Sequence, residues 1–166
     1  MLEHLCNSGS YKKLSKNPIN KVSKIVANAI KSSCTVGSLI SKLIESNLVT
    51  PRIYGLPKIH KEGVPLRPIV TTISGPTYLL AKYLARKLKP LVGQTDSFVK
   101  DSASFVHKLK SWVCEPNDSM VSFDVVSLYT NIPIMEAVEV IRRITDPDTA
   151  NLVEICLTST FFRRIL

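Results

Sequence analysis

The sequence predicts an α+β fold, helix-rich, with a few short antiparallel strands. Three observations predict it. Apolar residues recur at helical spacing between Ile19 and Asn47 and again between Ile134 and Ile144. Prolines 51, 57, 65 and 68 and glycines 55 and 63 exclude a regular helix between Thr50 and Val70, where two extended segments must lie. Finally, Met120, Ser122 and Asp124 alternate with Val121, Phe123 and Val125, the period-2 pattern of a half-buried strand.

Taken in order, Tyr11 to Pro18 is a basic, polar lead-in. Val22, Ile25, Val26, Ala29 and Ile30 form the apolar stripe of a first helix, with Lys21, Lys24 and Lys31 largely off it. Leu39, Ile40, Leu43 and Ile44 predict a second helix over Val36–Asn47, its start weakened by Gly37. Beyond Pro51, a turn around Glu62-Gly63 is expected to join the two extended segments, with Lys58, His60, Lys61 and Arg67 decorating the ribbon. Ser74-Gly75-Pro76 is a helix start with Pro76 at the first helical position, and Pro90 stops that helix near Leu88. Leu80, Tyr83, Leu84, Lys87, Leu88 and Leu91 share one face; Lys82, Arg86 and Lys89 share the opposite stripe. Asp101 or Ser102 caps a helix with Phe105, Leu109 and Trp112 on its buried side, and His107 suggests no metal role. A helix from Ile134 to Ile144 buries Ala137, Val138 and Ile141. Thr149 or Asp148 then caps a last helix through Leu157, followed by an apolar and basic end over 158–166.

The net charge of +9 is unevenly spread. Residues 1–110 carry 18 Lys and Arg against 5 Asp and Glu, whereas residues 111–166 carry 4 against 8. A basic part that grips phosphates and an acidic part that collects cations fit this pattern, and so do two differently solvated surfaces. A helical lead-in is expected over 1–50. Cys6, Cys34, Cys114 and Cys156 lie far apart and form no zinc-ribbon spacing. No apolar run approaches the roughly 20 residues of a membrane span, so no membrane partner is expected. No targeting signal is evident at Met1–Ser10, and an intracellular protein is the default expectation.

Asp124 closes the alternating segment, and Tyr129 follows five residues later. An acid at a strand end reaches solvent, a cation or a buried partner. Nucleotidyl transfer uses two cations about 3.5–4 Å apart that bridge the triphosphate and the attacking hydroxyl. Carboxylates hold Mg²⁺, and basic side chains neutralise the phosphates. Alone, none of these residues is specific for that chemistry.

In their order, Tyr54-Gly55-Leu56-Pro57-Lys58-Ile59-His60-Lys61, Leu66-Arg67-Pro68-Ile69-Val70, Gly75-Pro76-Thr77-Tyr78 and Ser122-Phe123-Asp124-Val125-Val126-Ser127-Leu128-Tyr129-Thr130-Asn131-Ile132-Pro133 resemble the reverse transcriptases of Penelope-like retroelements, relatives of telomerase. The resemblance covers roughly residues 50–162. It implies the fingers and partial palm of a right-hand polymerase: a fingers-like basic region over 51–115 and a palm that opens at 116–166. Asp124 matches the first catalytic aspartate and the Val125 carbonyl a second metal ligand. Tyr129 matches the aromatic that screens the sugar 2′-position. Lys61 and Arg67 match the cations that hold the incoming triphosphate, with Lys58 competing for the role of Lys61. Lys82, Arg86 and Lys89 are weaker candidates for the nucleic-acid backbone. The implied partners are an RNA template with a DNA primer, or an RNA–DNA duplex, and a dNTP; Mg²⁺ is the implied cofactor of the complete enzyme and the nucleus a plausible location.

The sequence departs from that family in one respect. No Asp-Asp pair of the Tyr-x-Asp-Asp kind occurs anywhere, and the chain stops where the next palm segment is expected. Neither a thumb nor the GIY-YIG-type endonuclease of many family members is present. The expectation is a truncated copy, inactive alone. A non-catalytic basic nucleic-acid-binding module and a helical structural or interaction protein remain as alternative readings.

Overall fold

The computed structural model describes residues 11–113, 115–126 and 128–164. Expectations resting on Met1–Ser10, Cys6, Cys114, Ser127 and the last two residues lie outside the described residues, as do the side chains of Ile40, Thr130 and Arg164.

The first helix, α1 (Ile19–Ser32), starts where Asn17 Oδ1 accepts the Ile19 N–H at 3.1 Å. Val22, Val26 and Ile30, four residues apart, are its buried stripe, while Lys21, Lys24 and Lys31 are exposed. The predicted helix over Val36–Asn47 is much shorter. Gly37 adopts a left-handed φ of 48°, a 3-10 turn spans Gly37–Leu39, and α2 runs only Ile40–Leu43. Ile44 is already extended, and Glu45 Oε1 accepts the Asn47 N–H at 3.2 Å, a local bond that competes with a continuing helix. Leu43 is buried as expected, whereas Leu39 is exposed.

The proline-rich region forms the predicted ribbon. Strand β1 (Arg52–Pro57) pairs antiparallel with β2 (Leu66–Thr71), from Arg52↔Thr71 to Pro57↔Leu66. Pro68 lies opposite Gly55 on β2, an edge strand, where its missing N–H breaks no ladder on a far side. The turn is closed by Lys58 N–H to the Pro65 carbonyl (2.9 Å) and Val64 N–H to the Lys61 carbonyl (3.1 Å), with Gly63 at φ 69°. A two-residue strand, β3 (Arg163–Arg164), pairs parallel with β1, giving the order β2-β1-β3. Two residues carry no periodicity, so the sequence did not announce it.

Helix α3 (Tyr78–Leu88) begins two residues after Pro76. Pro76 and Thr77 belong to a lead-in turn, closed by Tyr78 N–H to the Gly75 carbonyl at 3.1 Å. Gly75 is required there: a Cβ would lie 2.8 Å from the Thr72 carbonyl oxygen and 3.3 Å from Pro51 Cγ. Leu80 and Leu84 are buried, and a 3-10 turn at Lys89–Leu91 carries Pro90. Helix α4 (Ser102–Leu109) is capped by Asp101, whose Oδ1 accepts the Ser104 N–H at 2.8 Å. A single turn, α5, spans Leu128–Asn131, followed by α6 (Ile134–Ile144) and α7 (Pro147–Thr158). The cap of α7 is Asp146, not Thr149 or Asp148: Pro147 takes the first helical position, so the residue before it is the one left to cap.

Two compact units result. One joins the chain up to Lys87 with the chain from Pro133; the other is Leu88–Ile132. In the first, α7 packs against α6 and α1, and the core contains Val26, Ile30, Ile53, Leu80, Val138 and Leu152. Each fully buried aliphatic side chain there stabilises by roughly 1.5–3 kcal/mol relative to exposure. In the second, no described residue is buried. Trp112, expected in a core, is 74% exposed because α4 ends three residues before it. Phe105 is also exposed, since this two-turn helix has no packed partner among the described residues of its unit. The predicted strand over Met120–Val125 is likewise not formed: Phe123 is 90% exposed, and no described segment pairs with it. Alternation encodes a strand face, but a strand exists only with a neighbour to bond.

Candidate nucleic-acid interface

The hairpin fixes the basic residues of the ribbon. Lys61 and His60 stand exposed at its turn, Lys58 is half-buried at the end of β1, and Arg67 is exposed opposite Leu56. On α3, Lys82 and Arg86 are exposed one turn apart, whereas Lys89 lies beyond the helix, exposed in the 3-10 turn that follows. Among the described residues, none of Lys58, Lys61, Arg67, Lys82, Arg86 and Lys89 is in an ion pair. Cations left without carboxylate partners are available to an external anion.

Lys58, Lys61, Arg67, Lys82 and Arg86 belong to one compact unit, and Lys89, Asp124 and Tyr129 to the other. Asp124 is exposed and Tyr129 is 92% exposed on α5. The turn that carries Tyr129 is held by Asn131 Nδ2, which donates to the Val126 carbonyl at 2.8 Å, and by the Ile132 N–H, which donates to the Leu128 carbonyl at 3.1 Å. Among the described residues no group of three or more His, Cys, Asp or Glu gathers to hold a metal. One carboxylate and the Val125 carbonyl do not make the donor set of a two-Mg²⁺ centre, which needs carboxylates to bridge both ions.

The sequence did not reveal a cluster at the start of α7. Asp146 Oδ1 accepts from Thr149 N–H (2.8 Å) and Thr35 Oγ1 (3.0 Å); its Oδ2 accepts from Thr149 Oγ1 (2.6 Å) and Lys87 Nζ (3.0 Å). Asp148 Oδ2 accepts the Cys34 N–H at 2.8 Å. Lys87 is thus a structural cation, distinct from the free stripe of Lys82 and Arg86. The Thr149 hydroxyl, then its N–H, Lys87 and Thr35, hold the Asp146 carboxyl well below the usual carboxylate range against an opposing effect of burial. A depressed folded-state pKa makes this stabilisation complete above the usual carboxylate range and lost as pH falls below that range towards the depressed value. In urea melts, Asp146→Ala lowers stability by about 1 kcal/mol near neutral pH and flattens the acid limb. An unchanged acid limb counts against the cluster. Burial also pushes the Cys156 thiol up to about 12, so it is a packing residue rather than a nucleophile; Cys34 is exposed.

Sequence reasoning also missed Arg52 and Arg163, which the parallel pairing of β1 and β3 makes neighbours. Only the Arg163-Arg164 doublet hinted at it, and a long-range pairing leaves no local signal. No known protein family, curated protein or solved structure matches the chain.

Proposed function

We propose that the chain is the fingers and opening palm portion of an RNA-directed DNA polymerase of the Penelope-like retroelement kind. It grips an RNA–DNA duplex and has no polymerase activity of its own. The observation that supports this reading is the antiparallel hairpin whose unpaired cations Lys61 and Arg67 fall on the blocks that resemble that family. In this reading Lys61 and Arg67 meet the triphosphate of the incoming dNTP, and Lys58, Lys82, Arg86 and Lys89 meet the nucleic-acid backbone. Asp124 supplies the first carboxylate and Tyr129 packs against the sugar.

That no group of three or more His, Cys, Asp or Glu gathers around Asp124 among the described residues favours a second reading, a non-catalytic nucleic-acid-binding module using the same basic surface. Primer extension with Mg²⁺ separates the two. The chain alone gives no product in either case. Joined to the remaining palm and thumb of a complete reverse transcriptase, it extends a primer under the first reading; a folded chimera that binds template–primer yet never extends it supports the second.

A further inference from the structure

The register of the sheet sorts its side chains by face. Cross-strand partners point the same way, and alternate residues along a strand share a face. Arg52↔Thr71, Tyr54↔Ile69 and Leu56↔Arg67 therefore lie on one face, and Arg163 joins it as the neighbour of Arg52 on the parallel side. Arg52, Tyr54, Leu56, Arg67 and Arg163 are all exposed, whereas Ile53, on the opposite face, is 3% exposed. The paired positions of this face contain no carboxylate, and among the described residues none of its three arginines is in an ion pair. Like charges on neighbouring strands repel, so Arg52 beside Arg163 is most favourable with an anion between the guanidiniums. A guanidinium fork matches two phosphate oxygens at once.

We propose that this face is a platform for single-stranded nucleic acid. Arg52 and Arg163 clamp one phosphate, and Tyr54 stacks on an unpaired base. A central exposed aromatic selects a single strand, because a duplex hides its base faces in the stack. The inference rests on the reading of the chain as a nucleic-acid-gripping protein and adds a surface to it, with Arg52, Tyr54 and Arg163 in roles of their own.

The test is fluorescence anisotropy of the full chain with a labelled oligouridylate strand, and with an RNA–DNA duplex of equal length, over a range of salt. The single strand binds, and Arg52→Ala combined with Arg163→Ala makes its log–log salt slope shallower by about 0.7, the contribution of the one phosphate the pair neutralises. Tyr54→Ala weakens binding about tenfold at unchanged slope, while Tyr54→Phe, which keeps the ring and the fold, binds like the original chain. Arg52→Lys with Arg163→Lys keeps the slope, a control that the sheet is intact. A single strand that fails to bind, an unchanged slope in the double Ala variant, or Tyr54→Ala binding at full strength overturns the platform. If the duplex still binds, only the platform falls and the gripping function stands; if neither nucleic acid binds, both fall.

Discussion

Asp124→Asn, placed in a chimera that supplies a complete palm and thumb, lowers Mg²⁺-dependent primer extension by about 1,000-fold, as expected when metal stabilisation worth several kcal/mol is lost. Asparagine keeps the size and polarity of aspartate but cannot supply the negative charge a hard cation requires. Asp124 is exposed and outside the core, so the substitution leaves folding intact and the loss lies in the chemistry. Duplex binding by the same chimera stays within about twofold, since Asp124 is not among the cations that meet phosphate. Extension that survives Asp124→Asn at full rate removes the catalytic assignment, whatever the origin of the chain.

The largest effect on stability is expected at Leu80. Its side chain is completely buried between elements of the unit that joins the two ends of the chain. Leu80→Ala removes apolar burial and leaves a cavity, lowering the unfolding free energy by about 2–5 kcal/mol in urea titrations. Phe123→Ala, at a side chain that is almost wholly exposed, changes it by no more than about 0.5 kcal/mol. The contrast tests where the core lies. Equal losses at both positions would show that the segment around Phe123 is packed.

That contrast also shows what the sequence could and could not express. The spacing of Ala137, Val138 and Ile141 marked α6 from Ile134 to Ile144, and Gly63 between proline-rich segments marked the hairpin turn, because both signals are local. The alternation around Phe123 is equally clear, yet a strand depends on a partner that no local pattern names. The same limit hid β3, and with it the meeting of Arg52 and Arg163. Gly37 was visible as a weak helix start, but its left-handed φ and the side chain of Glu45 cut α2 to a single turn. Of the candidate site, the hairpin cations and the Lys82–Arg86 stripe were legible from spacing. The bond from Lys87 to Asp146 was not, since 59 residues separate them.

The central claim is that the unpaired cations grip the backbone of an RNA–DNA duplex, and the most direct measurement is the affinity of the full chain for such a duplex as salt is raised. The account predicts a straight fall of log affinity against log salt with a slope of about −0.9 per phosphate contacted, or about −4 for four contacts. It also predicts a shallower slope when Lys82 and Arg86 are replaced by Ala. A flat dependence, or a slope indifferent to those two residues, would contradict it.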